Sequence, residues 1–362
     1  MPHRQAVVAD EEGRGRGAVT MRTPHSSAVR ILALALLLAS MASAFACTHE
    51  QKAERRQYLG TAMGCRVEIT VDESDADIAR HAAHEAQLEL DRLDAMLSDW
   101  KESSELSRLN ASSEKRVRAS GDLRAALARA LEVARATDGR FDPTVKPLVD
   151  LWRASRKSRT LPATDALAAA RARCGFAKVA IDGDAVTRET KGDGADGDAR
   201  AQLDFGGIGK GFGAVRALEV LRANGCPRAL VAVAGDIAAG EAPRGERGWR
   251  VEVAPESDVV RAQRIIAVNQ AVSTSGGSMQ WVEIGGVRYA HIVDPRTGLG
   301  ATKLAQVTVV GPLDCAVDAL STALALSDDD ADAAAILAKF PGYTARIERD
   351  GKAVWIPAPI AR

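Results

Sequence analysis

The chain has 362 residues, enough for one large domain or two of ordinary size. Lys plus Arg and Asp plus Glu number 48 each, and aromatics make up only 4%, so neither a net field nor a base-stacking platform points to nucleic acid. The five cysteines form no C-x-x-C pair, which argues against a zinc cluster or a thioredoxin-like centre.

Ile31 to Ala46 is an uncharged, alanine-rich apolar run behind Arg22 and Arg30. It is short for a membrane-spanning helix and fits the core of a signal peptide. The run ends Ala44-Phe-Ala-Cys47. Small residues there suit a signal peptidase, and the cysteine invites lipidation. Ala44, standing where a lipoprotein box has Leu, leaves simple cleavage open. Met21 offers an alternative start, since residues 1–20 are polar and arginine-rich. The expected organisation is an extension plus signal peptide over 1–47, a polar tether over 48–57 and a single domain over 58–358. The expected location is the periplasmic face of a membrane, with a lipid anchor at Cys47 as the only membrane contact. An oxidising compartment permits disulfides among the remaining cysteines without requiring them.

Within the domain, Val67, Ile69 and Val71 alternate with polar neighbours and predict a strand. Ile78, Leu88, Leu90, Leu93 and Leu97 recur at helical spacing and predict a helix over 75–97. Ser98 to Asn110 reads as a polar loop entering a short helical turn. Residues 122–137 read as a helix closed by Asp138-Gly139. Two prolines and two acids between Phe141 and Trp152 predict an ordered, non-regular segment. Thr164 is the expected N-cap of a helix reaching Cys174. Residues 179–187 and 202–205 read as strands. The acidic, glycine-rich stretch 192–197 between them reads as a hairpin tip or a disordered loop.

Leu203-Asp-Phe-Gly-Gly-Ile-Gly-Lys-Gly-Phe-Gly213 places four glycines in the six residues from Gly206 to Gly211, with Asp204 before them and Lys210 among them. Glycines allow positive φ and close backbone approach to a ligand. A lysine beside them supplies a mobile charge suited to phosphate, and a helix over 214–222 would aim its N-terminus at the same place. The run is not a Walker A loop, and it meets only the looser G-x-G-x-x-A form of the Rossmann fingerprint. A tight strand-to-helix corner is the equal alternative.

The second half reads as strands over 229–233, 249–253, 265–268, 281–284, 287–292 and 305–310. A small-residue turn is expected at Ala271 to Gly277, and a helix over 313–326. Strands at hairpin distance beside separate long helices predict an α+β fold: one large domain of mixed or antiparallel sheets with flanking helices, not a doubly wound sheet.

Two further constellations could carry chemistry. Asp318 and Thr322 share one face of an otherwise apolar helix. An ionised carboxylate there needs a partner, either a hard cation such as Mg²⁺ or satisfied backbone N–H groups. His291 opens the turn His-Ile-Val-Asp-Pro-Arg-Thr-Gly298 and is the one histidine of six in a stretch dense with Gly, Asp, Arg and Thr. It is suited to general base work or to a structural role.

The order of these blocks resembles the ApbE-type FAD:protein FMN transferases over about residues 58–330. The blocks are Gly60-Thr-Ala-Met-Gly64, Ser103 to Asn110, Thr137-Asp-Gly-Arg-Phe-Asp-Pro-Thr144, Leu203 to Gly211, Ala234-Gly-Asp236, Thr274-Ser-Gly276, His291 to Gly298 and Val317 to Thr322. The resemblance implies transfer of FMN from FAD to a Thr or Ser hydroxyl of an acceptor protein, a membrane redox-complex subunit, with release of AMP. It implies that Met63, Trp100, Phe141 and Asp142 line the FAD site. Asp204, Lys210 and Ser275 would also bind the dinucleotide. The Gly207 carbonyl, Asp318 and Thr322 would hold Mg²⁺, and His291 would be the catalytic base. The sequence departs from the family pattern at Cys65, Gly209 and Ala234, none of which is an implied ligand. Two other functions are compatible with the same residues: an exported FAD-holding lipoprotein without turnover, and a pyrophosphatase releasing FMN and AMP from FAD.

Overall fold

The computed structural model describes residues 54–189, 200–253, 255, 259–276 and 280–357. The expected signal segment, Cys47, the first part of the expected tether, the stretch 192–197 and Ala358 lie outside the described residues. The described chain belongs to one compact unit, Ala53–Arg362.

The first half runs β1 Arg55–Ala62, β2 Cys65–Asp72, α1 Ala76–Leu97, α2 Glu105–Ala111, β3 Arg116–Arg118, α3 Gly121–Ala136, α4 Lys146–Ser158, α5 Thr164–Arg173, β4 Val179–Asp182 and β5 Ala185–Arg188. The second half runs α6 Gly209–Ala223, β6 Ala229–Val233, β7 Asp236–Ala239, β8 Trp249–Val253, β9 Gln263–Ala267, β10 Gln270–Ser275, β11 Trp281–Ile284, β12 Val287–Ala290, β13 Val293–Asp294, β14 Leu299–Gly300, β15 Gln306–Pro312, α7 Ala316–Ala325, α8 Asp330–Leu337, β16 Thr344–Arg349 and β17 Lys352–Ile356. The fold is α+β. Eight strands form one sheet in the order β1-β2-β6-β7-β10-β15-β16-β17, and every neighbouring pair is antiparallel.

Alternation along the strands divides the core. Val67, Ile69, Val231, Val233 and Ala238 face α1 and α6. Ala271, Val307, Val309 and Ala345 face α7 and its neighbours. On the opposite face, Ile237, Val272 and Val310 pack against the β8–β9 hairpin through Trp249, Val251 and Ala267.

Several elements differ from the sequence reading. β1 begins at Arg55 and pairs along its length with β2, so the tether gives way to sheet three residues early. The small-residue run expected as a turn is β10, a strand inside the sheet. Its Ser273 and Ser275 approach Ser321 of α7, at 3.0 Å and 2.7 Å between hydroxyls, so packing proximity selects small residues over β-formers. The segment read as non-regular contains α4. Pro147 lies in that helix's first turn, where no intrahelical N–H is needed. Residues 202–205 supply only an isolated bridge, Val145 with Gln202, because Asn110 takes the Leu203 N–H at 2.7 Å and Asp204 turns the chain onto Gly206. Thr164 is the first residue of α5 and makes no side-chain cap, which Ala163 precedes. In α1 the buried face is carried by Ala79, Ala82, Ala83, Ala86, Leu90 and Leu93, while Ile78 and Leu88 are exposed. Among the described residues all four cysteines are free.

Candidate active site

The glycine-rich run becomes the start of α6, which begins at Gly209 rather than Ala214. None of Gly206, Gly207, Gly209, Gly211 or Gly213 has a positive φ. Their use is close approach. A Cβ on Gly211 would lie 2.9 Å from Asp318 Cβ and 3.2 Å from the Cys315 carbonyl, so α6 and α7 cross where only glycine fits. Gly211→Ala is expected to cost about 1–3 kcal/mol through overpacking. A urea-unfolding midpoint equal to wild type would contradict this.

That crossing places Asp318 against the N-terminus of α6. The Gly211 N–H, one of the helix's unsatisfied donors, donates to Asp318 Oδ2 at 3.1 Å. Lys210 Nζ lies 3.3 Å from the same oxygen and 3.0 Å from Asp236 Oδ2. Asp236 opens β7 just after the two-residue turn Ala234-Gly235, and Ala234 adopts a left-handed φ of 53° there. A non-glycine residue meets steric cost in that region, which accounts for glycine at this place in the family pattern. Ser273 Oγ donates to Asp236 Oδ1 at 2.5 Å, and a chain of hydroxyls continues through Ser321 to Ser275 and on to Thr322, 3.3 Å from Ser275.

Two buried carboxylates therefore share one ammonium. Burial and then the neighbouring Asp236 push the Asp318 carboxyl up, while Lys210 opposes them. Burial disfavours the Lys210 charge, but the two acids outweigh it and hold the ammonium firmly charged. Lys210, read from sequence as a mobile cation suited to phosphate, is paired with two acids at the edge of the site.

The same residues fit a hard divalent cation. Among the described residues no three His, Cys, Asp or Glu side chains converge as a metal cage. The available set is instead Asp318, the Thr322 hydroxyl and backbone oxygen at Gly207, all of the hard kind Mg²⁺ prefers. A Cβ at Gly207 would sit 3.3 Å from Thr322 Oγ1 and 3.2 Å from Phe141 Cε2, so a side chain would fill that cradle. The surplus negative charge of the Asp236–Asp318 pair is what such a cation would neutralise.

Gly207, Asp318 and Thr322 line a cavity of about 570 Å³ together with Phe141, Asp142, Asp204, Lys210, Ser275 and His291. Met63 and Trp100 line an adjoining hollow of about 190 Å³, which shares Arg153, Gly206 and Lys210 with the main cavity. Every residue expected from sequence thus borders one of two connected spaces. Their roles differ in detail. Asp142 spends its oxygens inside the protein, accepting from the Thr144 N–H and hydroxyl and from the Phe176 N–H. Asp204 Oδ1 accepts from the Gly206 N–H at 2.7 Å, while Oδ2 is buried without a hydrogen-bond partner and lies 3.9 Å from the Arg153 guanidinium, which leaves it able to accept a further hydrogen bond. Burial, then the nearby Asp99, raise its pKa.

His291 follows β12 at the base of the β11–β12 hairpin. Its N–H donates to the Gln280 carbonyl at 3.0 Å, and its Nδ1 lies 3.4 Å from the same oxygen. A carbonyl can only accept, so a hydrogen bond there requires the tautomer with its hydrogen on Nδ1, which leaves Nε2 free to accept a proton. Burial lowers the imidazole pKa, the Gln280 contact raises it, and the charges of Arg156 and Lys210 lower it further.

Sequence reasoning did not single out Asp236, Arg153, Arg156 or Gln280, all of which border the main cavity. Asp236 carried a signal, an acid immediately after a tight turn in one of the ordered blocks. The arginines lie on α4, the helix hidden by its proline.

A sequence profile of the ApbE family matches residues 63–347. The FAD:protein FMN transferase of Klebsiella pneumoniae is 32% identical over 266 residues, covering 71% of this chain and 73% of the relative. That of Treponema pallidum is 32% identical over 301 residues, covering 78% and 80%. The solved structure of the flavin transferase ApbE from Vibrio cholerae superposes with a TM-score of 0.72 at 26% identity, covering 84% of this chain and 97% of the other. With the profile spanning most of the domain, this chain belongs to the ApbE family.

Proposed function

We propose that the protein is an FAD:protein FMN transferase that moves FMN from FAD to a Ser or Thr hydroxyl of an acceptor protein and releases AMP. The observation that carries this reading is the convergence on one cavity of an oxygen set at Gly207, Asp318 and Thr322, a buried Asp204 oxygen without a hydrogen-bond partner, and His291. Asp204 would accept from a hydroxyl or amine of the dinucleotide. Met63, Trp100 and Phe141 offer apolar surface for its rings. Gly207, Asp318 and Thr322 would hold Mg²⁺, which when bound supplies charge neutralisation to the diphosphate. His291 takes the proton of the acceptor hydroxyl, whose oxygen forms a bond to the phosphorus of the FMN half as the bridging P–O bond to AMP breaks. Lys210, held by Asp236, keeps positive charge beside Asp318 throughout.

The N-terminal run ending at Cys47 supports export and lipid anchoring on the periplasmic face of a membrane, where a membrane redox-complex subunit would be the acceptor. The test is incubation with FAD, Mg²⁺ and candidate acceptor proteins. The expected result is covalent flavin fluorescence on an acceptor with one AMP per flavin. FMN and AMP formed without acceptor labelling would favour a pyrophosphatase. FAD retained unchanged, with every acceptor unlabelled, would favour a flavin store.

A further inference from the structure

Four cationic side chains line the main cavity: Arg140, Arg153, Arg156 and Lys210. Three are committed to acids. Lys210 lies between Asp236 and Asp318. Arg153 pairs with Asp99 at 2.6 Å, and Arg140 with Asp332 at 2.8 Å. Arg156 makes neither a hydrogen bond nor an ion pair with any described residue.

Its placement is fixed by α4. Val145, just before the helix, and Val149, Trp152, Arg153 and Arg156 form the stripe that borders the cavity, at the spacing of one helix face. The buried Trp152 donates from Nε1 to the Ala290 carbonyl at 3.0 Å, which pins α4 to the residue preceding His291. Arg156 lies one turn further on and is half-buried, while Arg153, Lys157 and Arg159 around it are exposed. The favourable dipole at the helix C-terminus accounts for basic residues in this last turn. It does not account for one of them bordering the cavity while pairing with no acid among the described residues. A partly desolvated guanidinium without a counter-ion is unfavourable until an anion arrives.

This inference rests on the transferase reading, in which the anion is the FAD diphosphate. The other cavity cations are already neutralised, and His291 must stand beside the phosphorus that the acceptor oxygen attacks. The geometry points to Arg156 as the side chain that binds the phosphate on the FMN side of FAD, next to His291. A planar guanidinium can hold two phosphate oxygens at once, which an ammonium cannot.

The test measures flavin binding by fluorescence, with Mg²⁺ and without acceptor, for wild type, Arg156→Gln and Arg156→Lys. FAD, FMN and riboflavin are the probes. Arg156→Gln is expected to weaken FAD and FMN by about 10- to 100-fold and leave riboflavin unchanged, as loss of a charge-assisted phosphate contact would do. Arg156→Lys should recover part of the loss. Equal weakening of riboflavin would indicate a structural role and overturn the proposal. So would unchanged affinity for all three probes, or a variant defective only in its KM for acceptor. Because binding is read without acceptor, the two readings fail separately. A wild-type protein that binds FAD through Arg156 yet labels no acceptor sinks the transferase reading alone. One that transfers FMN with no dependence on Arg156 sinks this proposal alone. A wild-type protein that binds no FAD overturns both.

Discussion

Asp318→Asn is expected to lower the FMN-transfer rate by about 10³-fold, corresponding to about 4 kcal/mol of lost transition-state stabilisation. The substitution is nearly isosteric. Its amide oxygen can still accept from the Gly211 N–H, now 3.1 Å from the carboxylate, so the α6–α7 crossing should survive. What disappears is the charge that would hold a divalent cation. Stability measurements separate this from misfolding. Burial and Asp236 push the Asp318 carboxyl up to about 7, against the pull of Lys210. A carboxyl raised on folding binds its proton more tightly in the native state. Without divalent cation, wild-type stability should therefore fall as pH rises from the ordinary carboxylate range through about 7, then level off. Asp318→Asn should show a shallower slope, lacking the Asp318 share while that of other raised carboxyls such as Asp204 remains. Added Mg²⁺ should raise the melting temperature of wild type near neutral pH and leave the variant unmoved. A variant that still responds to Mg²⁺, or that keeps most of its transfer rate, would place the cation elsewhere.

How much of this could be read from the chain depends on the kind of signal each part carries. Alternation of Val67, Ile69 and Val71 is local and survives in β2. The helix at Asp318 and Thr322 is likewise visible, because an ionised acid within an apolar run needs a partner, whether a cation or backbone N–H groups. Other elements depend on tertiary facts. Small hydroxyl residues in β10 look like a turn until α7 is seen lying over them at hydroxyl contact distance. Pro147 looks like a break until it falls in a first turn. The glycine run illustrates a middle case. It marks a place where backbones come close, here those of α6 and α7, and the helix starts inside the run. Candidate residues for the site were legible where chemistry was dense in sequence. They were hidden where, as with Asp236 and Arg156, meaning comes from what the side chain does or does not pair with among the described residues. Lys210 shows the converse: it stood out in sequence, but the two acids it pairs with, distant in sequence, did not.

His291→Ala should reduce transfer by about 10²- to 10⁴-fold, the usual contribution of a positioned general base, while FAD affinity stays near wild type. The expected split follows from location. His291 stands on the strand-end turn beside Gln280 and lines the main cavity, while Met63 and Trp100 line the adjoining hollow. In the proposed mechanism the imidazole serves the incoming hydroxyl rather than the bound dinucleotide. Its pH behaviour gives an independent check. Burial, with the charges of Arg156 and Lys210, holds the imidazole below its ordinary pKa, and the Gln280 carbonyl only partly opposes them. A base works deprotonated, so a lowered pKa moves the acid limb of kcat/KM to lower pH. That limb should lie below the ordinary imidazole range in wild type and vanish in His291→Ala. A lower pKa also makes a weaker base, so the arrangement gives up some proton affinity to keep the imidazole neutral over a wider pH range. If His291→Ala instead loses FAD binding and transfer together, the imidazole is holding the cavity's shape. The proton must then leave the acceptor hydroxyl by another route.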